Sequence, residues 1–192
     1  QGFLPVPPVE YRLVFNAVLL GLTAGLCEEV ARWLTYRFVL KSARAWKEAL
    51  MVGAGHGGFE AMLIGAGSLV AFFAFSSALK ADPSTLPAAA QAQLAAYWSQ
   101  PDFLPLVGVL ERVFAICTHL ALSVLVLQAF TRRNNLYLAV AILAHAVVDA
   151  TAVYAVATWG VIVTEGIVAV YAVAAVALIL VLRPPATPSS PA

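Results

Sequence analysis

Eight ionisable side chains sit inside runs that are otherwise almost wholly apolar. Glu28, Glu29 and Arg32 fall in the first run, His56 and Glu60 in the second, His119 in the third, and His145 and Asp149 in the fourth. The chain has three histidines, and all of them belong to this set. Residues four apart share one face of a helix, and Glu28–Arg32, His56–Glu60 and His145–Asp149 all have that spacing. A carboxylate one turn from a histidine can orient its ring and hold a tautomer. An arginine one turn from a glutamate can keep it ionised in an apolar medium. These residue types suit water activation and proton transfer, with carboxylates as bases and imidazoles as donors or metal ligands.

Four elements must carry this set to one place, and composition says what they are. Hydrophobic residues make up 62% of the 192 and charged residues only 11%, against about 25% charged in ordinary soluble domains. Mean hydropathy is +0.89. A soluble enzyme, a disordered tail and a collagen-like fibre are excluded on that basis. The net charge of +1 offers no basic stripe for a nucleic-acid backbone. Cys27 and Cys117 sit in apolar runs and suggest no disulfide framework. The chain reads as an integral membrane protein.

Backbone groups in lipid must be satisfied within their own segment, so long apolar runs mean helices. A barrel would need short alternating segments. The expected fold is an all-α, polytopic membrane helix bundle with spans near 12–40, 48–79, 103–131, 136–158 and 160–182. No proline is expected inside a span; Pro83 and Pro87 mark a loop, and Pro184 and Pro185 an end. Residues 84–100 are too polar to span and predict a short helix on the outer surface. Residues 1–183 read as one transmembrane domain and 184–192 as a disordered tail. The start at Gln1 reads as a fragment lacking upstream helices. No internal repeat suggests a two-halved transporter.

Basic residues favour the cytoplasmic side. Arg37, Lys41, Arg44 and Lys47 occupy the first connection, and Arg132 and Arg133 the third, so both are expected inside a prokaryotic plasma membrane. Measured from these markers at about 1.5 Å per residue, Glu28 lies about 20 Å from Lys41 and His56 about 14 Å from Lys47. His119 lies about 20 Å from Arg132 and His145 about 18 Å from Arg133. Four helices thus offer titratable groups to one layer, as a single polar site would. Alone, His119 could equally be interhelical glue. Glu111 and Arg112, some 30 Å from the inner marker, read as outer-interface anchors.

The motifs have a familiar order. EEVAR at 28–32 resembles the EExxxR motif of the CAAX-protease and bacteriocin-processing superfamily of intramembrane proteases. HAVVD at 145–149 resembles its later HxxxN/D motif, and GHGGFE at 55–60 looks like the second motif of the YhfC-like branch. The usual second motif is FxxxH, and this chain has Val52 at the Phe position. The superfamily includes the noncatalytic Aph subunit of γ-secretase, so membership alone does not imply activity.

The resemblance implies peptide-bond hydrolysis within the membrane, on a membrane-embedded or lipidated peptide. Glu28 would be the general base, with His56 sharing the water; the roles of Glu28 and Glu29 can be exchanged at this stage. Glu29 and Arg32 would form the supporting ion pair. His145 would stabilise the oxyanion, with Asp149 orienting it, and Glu60 and His119 would support the site. The reading favours a metal-free glutamate protease; if zinc takes part, its ligands would be His56, His145 and Glu28. The competing readings are a silent membrane scaffold and an ion- or proton-conducting transporter.

Overall fold

The computed structural model describes residues 7–80 and 83–185. Residues 186–192, most of the expected tail, lie outside the described residues. Among the described residues six α-helices follow one another: α1 (Arg12–Leu34), α2 (Trp46–Lys80), α3 (Ala88–Trp98), α4 (Leu104–Thr131), α5 (Leu136–Trp159) and α6 (Val161–Val181). No strand occurs among the described residues. A 3-10 turn at Val9–Tyr11 leads into α1, and a π turn at Thr35–Val39 extends it. With these turns included, α1, α2, α4, α5 and α6 are long and apolar enough to cross a membrane. Their ends agree with the expected spans to within one helical turn. The short α3 falls inside the segment expected to be interfacial.

One expectation about proline fails. Pro105 lies inside the third span, in the first turn of α4. A backbone N–H there has no intrahelical acceptor, so its loss leaves the helix intact.

Apolar contact between helices gains little in lipid, where the tails are as apolar as leucine; close backbone approach and interhelical hydrogen bonds take over. Here α1 packs along α5, α2 along α4, and α6 against both α4 and α5. Two glycine pairs make the first two contacts. A Cβ on Gly21 would stand 2.4 Å from the Ala146 carbonyl, and one on Gly25 would stand 2.5 Å from that of Ile142. On α2, a Cβ at Gly53 would meet Leu120 Cα at 2.6 Å, and one at Gly57 would meet the His119 ring at 3.0 Å. Each pair is spaced one turn apart, so each forms a seam along one helix face. The seams press α1 against the helix that carries His145, and α2 against the helix that carries His119.

The central helix is α4, buried from Thr118 to Ala129 apart from Leu120. Near the basic end, Tyr36 is wholly buried, and its hydroxyl and that of Ser123 share a 2.8 Å hydrogen bond. Trp46 Nε1 donates to the Ile179 carbonyl at 3.1 Å, tying α2 to α6. At the other end α3 leans on α2, with Tyr97 stacked on Phe75 at 4.4 Å between centroids.

Candidate active site

Glu29 is fully buried and divides its carboxylate between two helices. Oε2 forms an ion pair with Arg32 Nη1 at 3.2 Å, one turn further along α1. Oε1 accepts a hydrogen bond from His145 Nδ1 on α5 at 2.8 Å. Arg32 in turn reaches α4, with Nη2 3.0 Å from His119 Nδ1 and Nη1 donating to the His119 carbonyl at 3.3 Å. Arg32, His119 and His145 are 2%, 4% and 4% exposed. Together with Glu29 they form a dry polar wall joining three helices. A buried charge left without its partner destabilises strongly, by about 3–5 kcal/mol, so this wall is held as a unit.

Donor chemistry fixes the tautomers. A guanidinium only donates, so His119 Nδ1 must accept, and the neutral ring carries its hydrogen on Nε2. That N–H points at Glu60 Oε2, 2.7 Å away. His145 is the opposite case. Its Nδ1–H serves Glu29, which leaves the Nε2 lone pair facing Glu28 Oε2 at 3.8 Å and Asp149 Oδ2 at 3.6 Å. Both distances are too long for hydrogen bonds. These acceptors face one another across a gap that a proton or a cation would reconcile.

In front of the wall, Glu28 Oε2 and His56 Nε2 lie 2.9 Å apart and join α1 to α2. The side chains of Glu28, His56, Glu60 and Asp149 are about a third exposed, at 32%, 30%, 33% and 37%. The His56 and His119 rings are 4.7 Å apart, and those of His119 and His145 are 5.4 Å apart. Buried groups therefore position, and accessible groups face whatever enters.

All eight sequence-derived residues converge, but several partnerships differ from expectation. Glu60, expected one turn from His56 to orient it, instead bonds His119 and Arg112, each at 2.7 Å. The α2 glycine seam explains the switch by bringing α4 against that face. Asp149 does not hold the His145 ring, because Glu29 does. The Glu29–Arg32 ion pair is the one the resemblance implied, although EEVAR has one residue fewer before its arginine than EExxxR. Arg112, read as an anchor, belongs to the site: it pairs with both Glu60 and Glu111. Its position seven residues before His119, two turns along one face of α4, was the available signal.

A divalent cation has suitable donors. One atom each from Glu28, His56, Glu60 and His119 lies within 4.8 Å of the others, and carboxylate with imidazole is a zinc-type ligand set. Each histidine nitrogen that faces a carboxylate here, Nε2 of His119 toward Glu60 and Nε2 of His56 toward Glu28, carries the hydrogen that an ion would have to displace. A ligating histidine normally donates its other ring N–H to a carboxylate, which is what His145 does toward Glu29. The zinc set expected from sequence, Glu28, His56 and His145, shares Glu28 and His56 with this group and has His145 in place of Glu60 and His119.

Comparison with known proteins bears on this site. A family profile described as YhfC intramembrane metalloprotease matches residues 8–172. The chain is also 34% identical over 142 residues to a protein of Bacillus subtilis (strain 168) named "Uncharacterized membrane protein YhfC". That alignment covers 69% of this chain and 54% of the relative, so the chain spans about half the relative's length. No solved structure matches.

Proposed function

Because this chain belongs to the YhfC intramembrane metalloprotease family, we propose that it is an intramembrane endopeptidase acting on a membrane-embedded or lipidated peptide. The observation that carries the reading is the 2.9 Å contact between Glu28 and His56, both accessible in front of a buried polar wall. A hydrolytic site needs that division: a base that water can reach, and a rigid frame that fixes it.

Only Oε2 of Glu28 is engaged by His56, so Oε1 remains to take a proton. As the water oxygen adds to the scissile carbonyl carbon, Glu28 receives one water proton and the carbonyl electron pair moves onto oxygen. Glu28 then delivers that proton to the amide nitrogen as the C–N bond breaks, leaving a carboxylic acid and an amine. His56 orients the water and the base. His145 meets the oxyanion as an imidazolium, with Glu29 on Nδ1 and the Glu28 and Asp149 carboxylates balancing its charge.

If a metal ion takes part, Glu28, His56 and His145 would hold it. Such an ion would supply carbonyl polarisation and a more acidic water when bound.

A proton-conducting role is less well supported. The polar chain runs His145–Glu29–Arg32–His119–Glu60, and Arg32 interrupts it, because a guanidinium does not release its proton in proteins. Basic loops are assigned to the cytoplasmic face. The test is hydrolysis of a labelled transmembrane peptide by the full chain in liposomes. Glu28-dependent release of a new amino terminus supports the proposal, and no release from any peptide of a broad set would overturn it.

A further inference from the structure

At the basic end of the bundle, away from the proposed active site, Arg37, Arg44, Arg133 and Asn135 line a cavity of about 490 Å³. It lies where α1 ends, α4 ends and α5 begins. Among the described residues no carboxylate pairs with any of these three arginines. Glu48, in the first turn of α2, is engaged in accepting from the Ala45 N–H at 2.7 Å.

Arg44 is held in place rather than free to swing. It donates to the carbonyls of Leu40, Ala43 and Tyr36 at 3.1, 2.7 and 3.2 Å, and its guanidinium lies over the Phe130 ring at 4.7 Å. A guanidinium has five N–H donors, so Arg44 keeps donors to spare. Trp33 stacks on Phe130 at 5.7 Å and makes an aromatic wall. Asn135 stands at the N-cap position of α5 without a side-chain bond to the helix, and the Leu136 N–H is taken by Asn134 Oδ1 at 2.9 Å. Three arginines without a carboxylate partner and an aromatic wall at the end of the spans match one ligand chemistry, a phosphate group at headgroup depth.

We propose that this pocket binds a phosphate group, that of an anionic membrane phospholipid, with Arg44 as the fixed donor and Arg37 and Arg133 closing from the exposed side. The pocket lies about 14 Å along α1 from Glu28. A bound headgroup would therefore set the depth of the bundle in the bilayer.

The test is native mass spectrometry of the full chain in detergent, titrated with phosphatidylglycerol. Wild type should retain the lipid. Arg37→Gln/Arg133→Gln should weaken retention by about 25-fold, on the order of fivefold per arginine. Arg12→Gln, at the opposite end of the bundle, should leave it unchanged. Arg37→Lys/Arg133→Lys keeps the charge and should recover part of the loss, which separates recognition from misfolding. Inorganic phosphate should compete only at much higher concentration than the lipid. Equal retention by wild type and the double Gln variant, or an equal loss in Arg12→Gln, overturns the proposal. Displacement by inorganic phosphate at matched concentration overturns the lipid assignment in favour of a free phosphate.

Discussion

Arg32 Nη2 lies 3.0 Å from His119 Nδ1, and this single contact decides which nitrogen of His119 carries hydrogen. Because Glu29 makes the reverse choice for His145, two neighbouring imidazoles present opposite chemistry. One offers an N–H and the other a lone pair.

That relationship can be read directly. With three histidines in the chain, all in the site, a 15N-histidine spectrum of the full protein in bicelles reports only these rings. In the neutral state the spectrum should show pyridine-like nitrogen at Nδ1 of His119 and at Nε2 of His145. The same tautomer in both rings would show that Arg32 does not set the choice.

If zinc binds, it should follow the lone pair of His145. Binding should shift His145 and His56 and leave the His119 tautomer in place. His145→Ala removes a proposed ligand and should weaken zinc by more than the roughly 10-fold lost at supporting positions, and His119→Ala by less. Isothermal titration with Zn2+ on folded variants measures both, and a larger loss in His119→Ala would reverse the ligand assignment.

The two adjacent glutamates should separate cleanly. Glu28→Gln keeps shape and hydrogen bonding but cannot take a proton, so cleavage should fall about 10²-fold or more with folding intact. Glu29→Gln leaves Arg32 uncompensated in a dry site and should lower stability by about 3–5 kcal/mol. Thermal melts run beside turnover assays check the pair, and a fully active Glu28→Gln protein would remove Glu28 from the base role.

The glycine seams predict a structural contrast. Gly25→Ala forces a methyl against the Ile142 carbonyl and should destabilise by about 1–3 kcal/mol, prising His145 from Glu29. Gly58→Ala, where a Cβ meets nothing within 4 Å, should be neutral or slightly stabilising. Equal melting points for the two variants would mean that α1 and α5 are not in backbone contact.

Sidedness has its own check. With Cys27 and Cys117 replaced, cysteines at Ser42 and Asn134 should resist an impermeant thiol reagent in intact cells, and one at Ser84 should react. Labelling of the first two would invert the assigned orientation.

Spans and the meeting of their polar residues were legible in the sequence because lipid leaves few options: an apolar run long enough to cross is a helix, and a charge within it stands out. Partner choice was not. Helical spacing puts Glu60 on the same face as His56, yet it cannot say that Gly53 and Gly57 admit α4 closely enough for His119 to take that carboxylate. Arg112 was misread for a related reason. Its depth was counted along α4 alone, whereas its partner rises to meet it from α2. The Glu29–His145 bond was equally hidden, since an acid four residues away at Asp149 was the nearer candidate along the chain.

The span of that last bond also governs when the site can exist. His145 follows Glu29 by 116 residues, so a nascent chain inserts α1 through α4 before the ring that completes the buried wall is made. During that interval Glu29 and Arg32 have each other, adjacent on one helix and neutral as a pair, which is how two charges can wait in lipid. Docking of α5 then finishes the wall and sets the open gap in front of it. A chain that ends before α5 therefore holds the Glu29–Arg32 pair but lacks the ring that closes the wall.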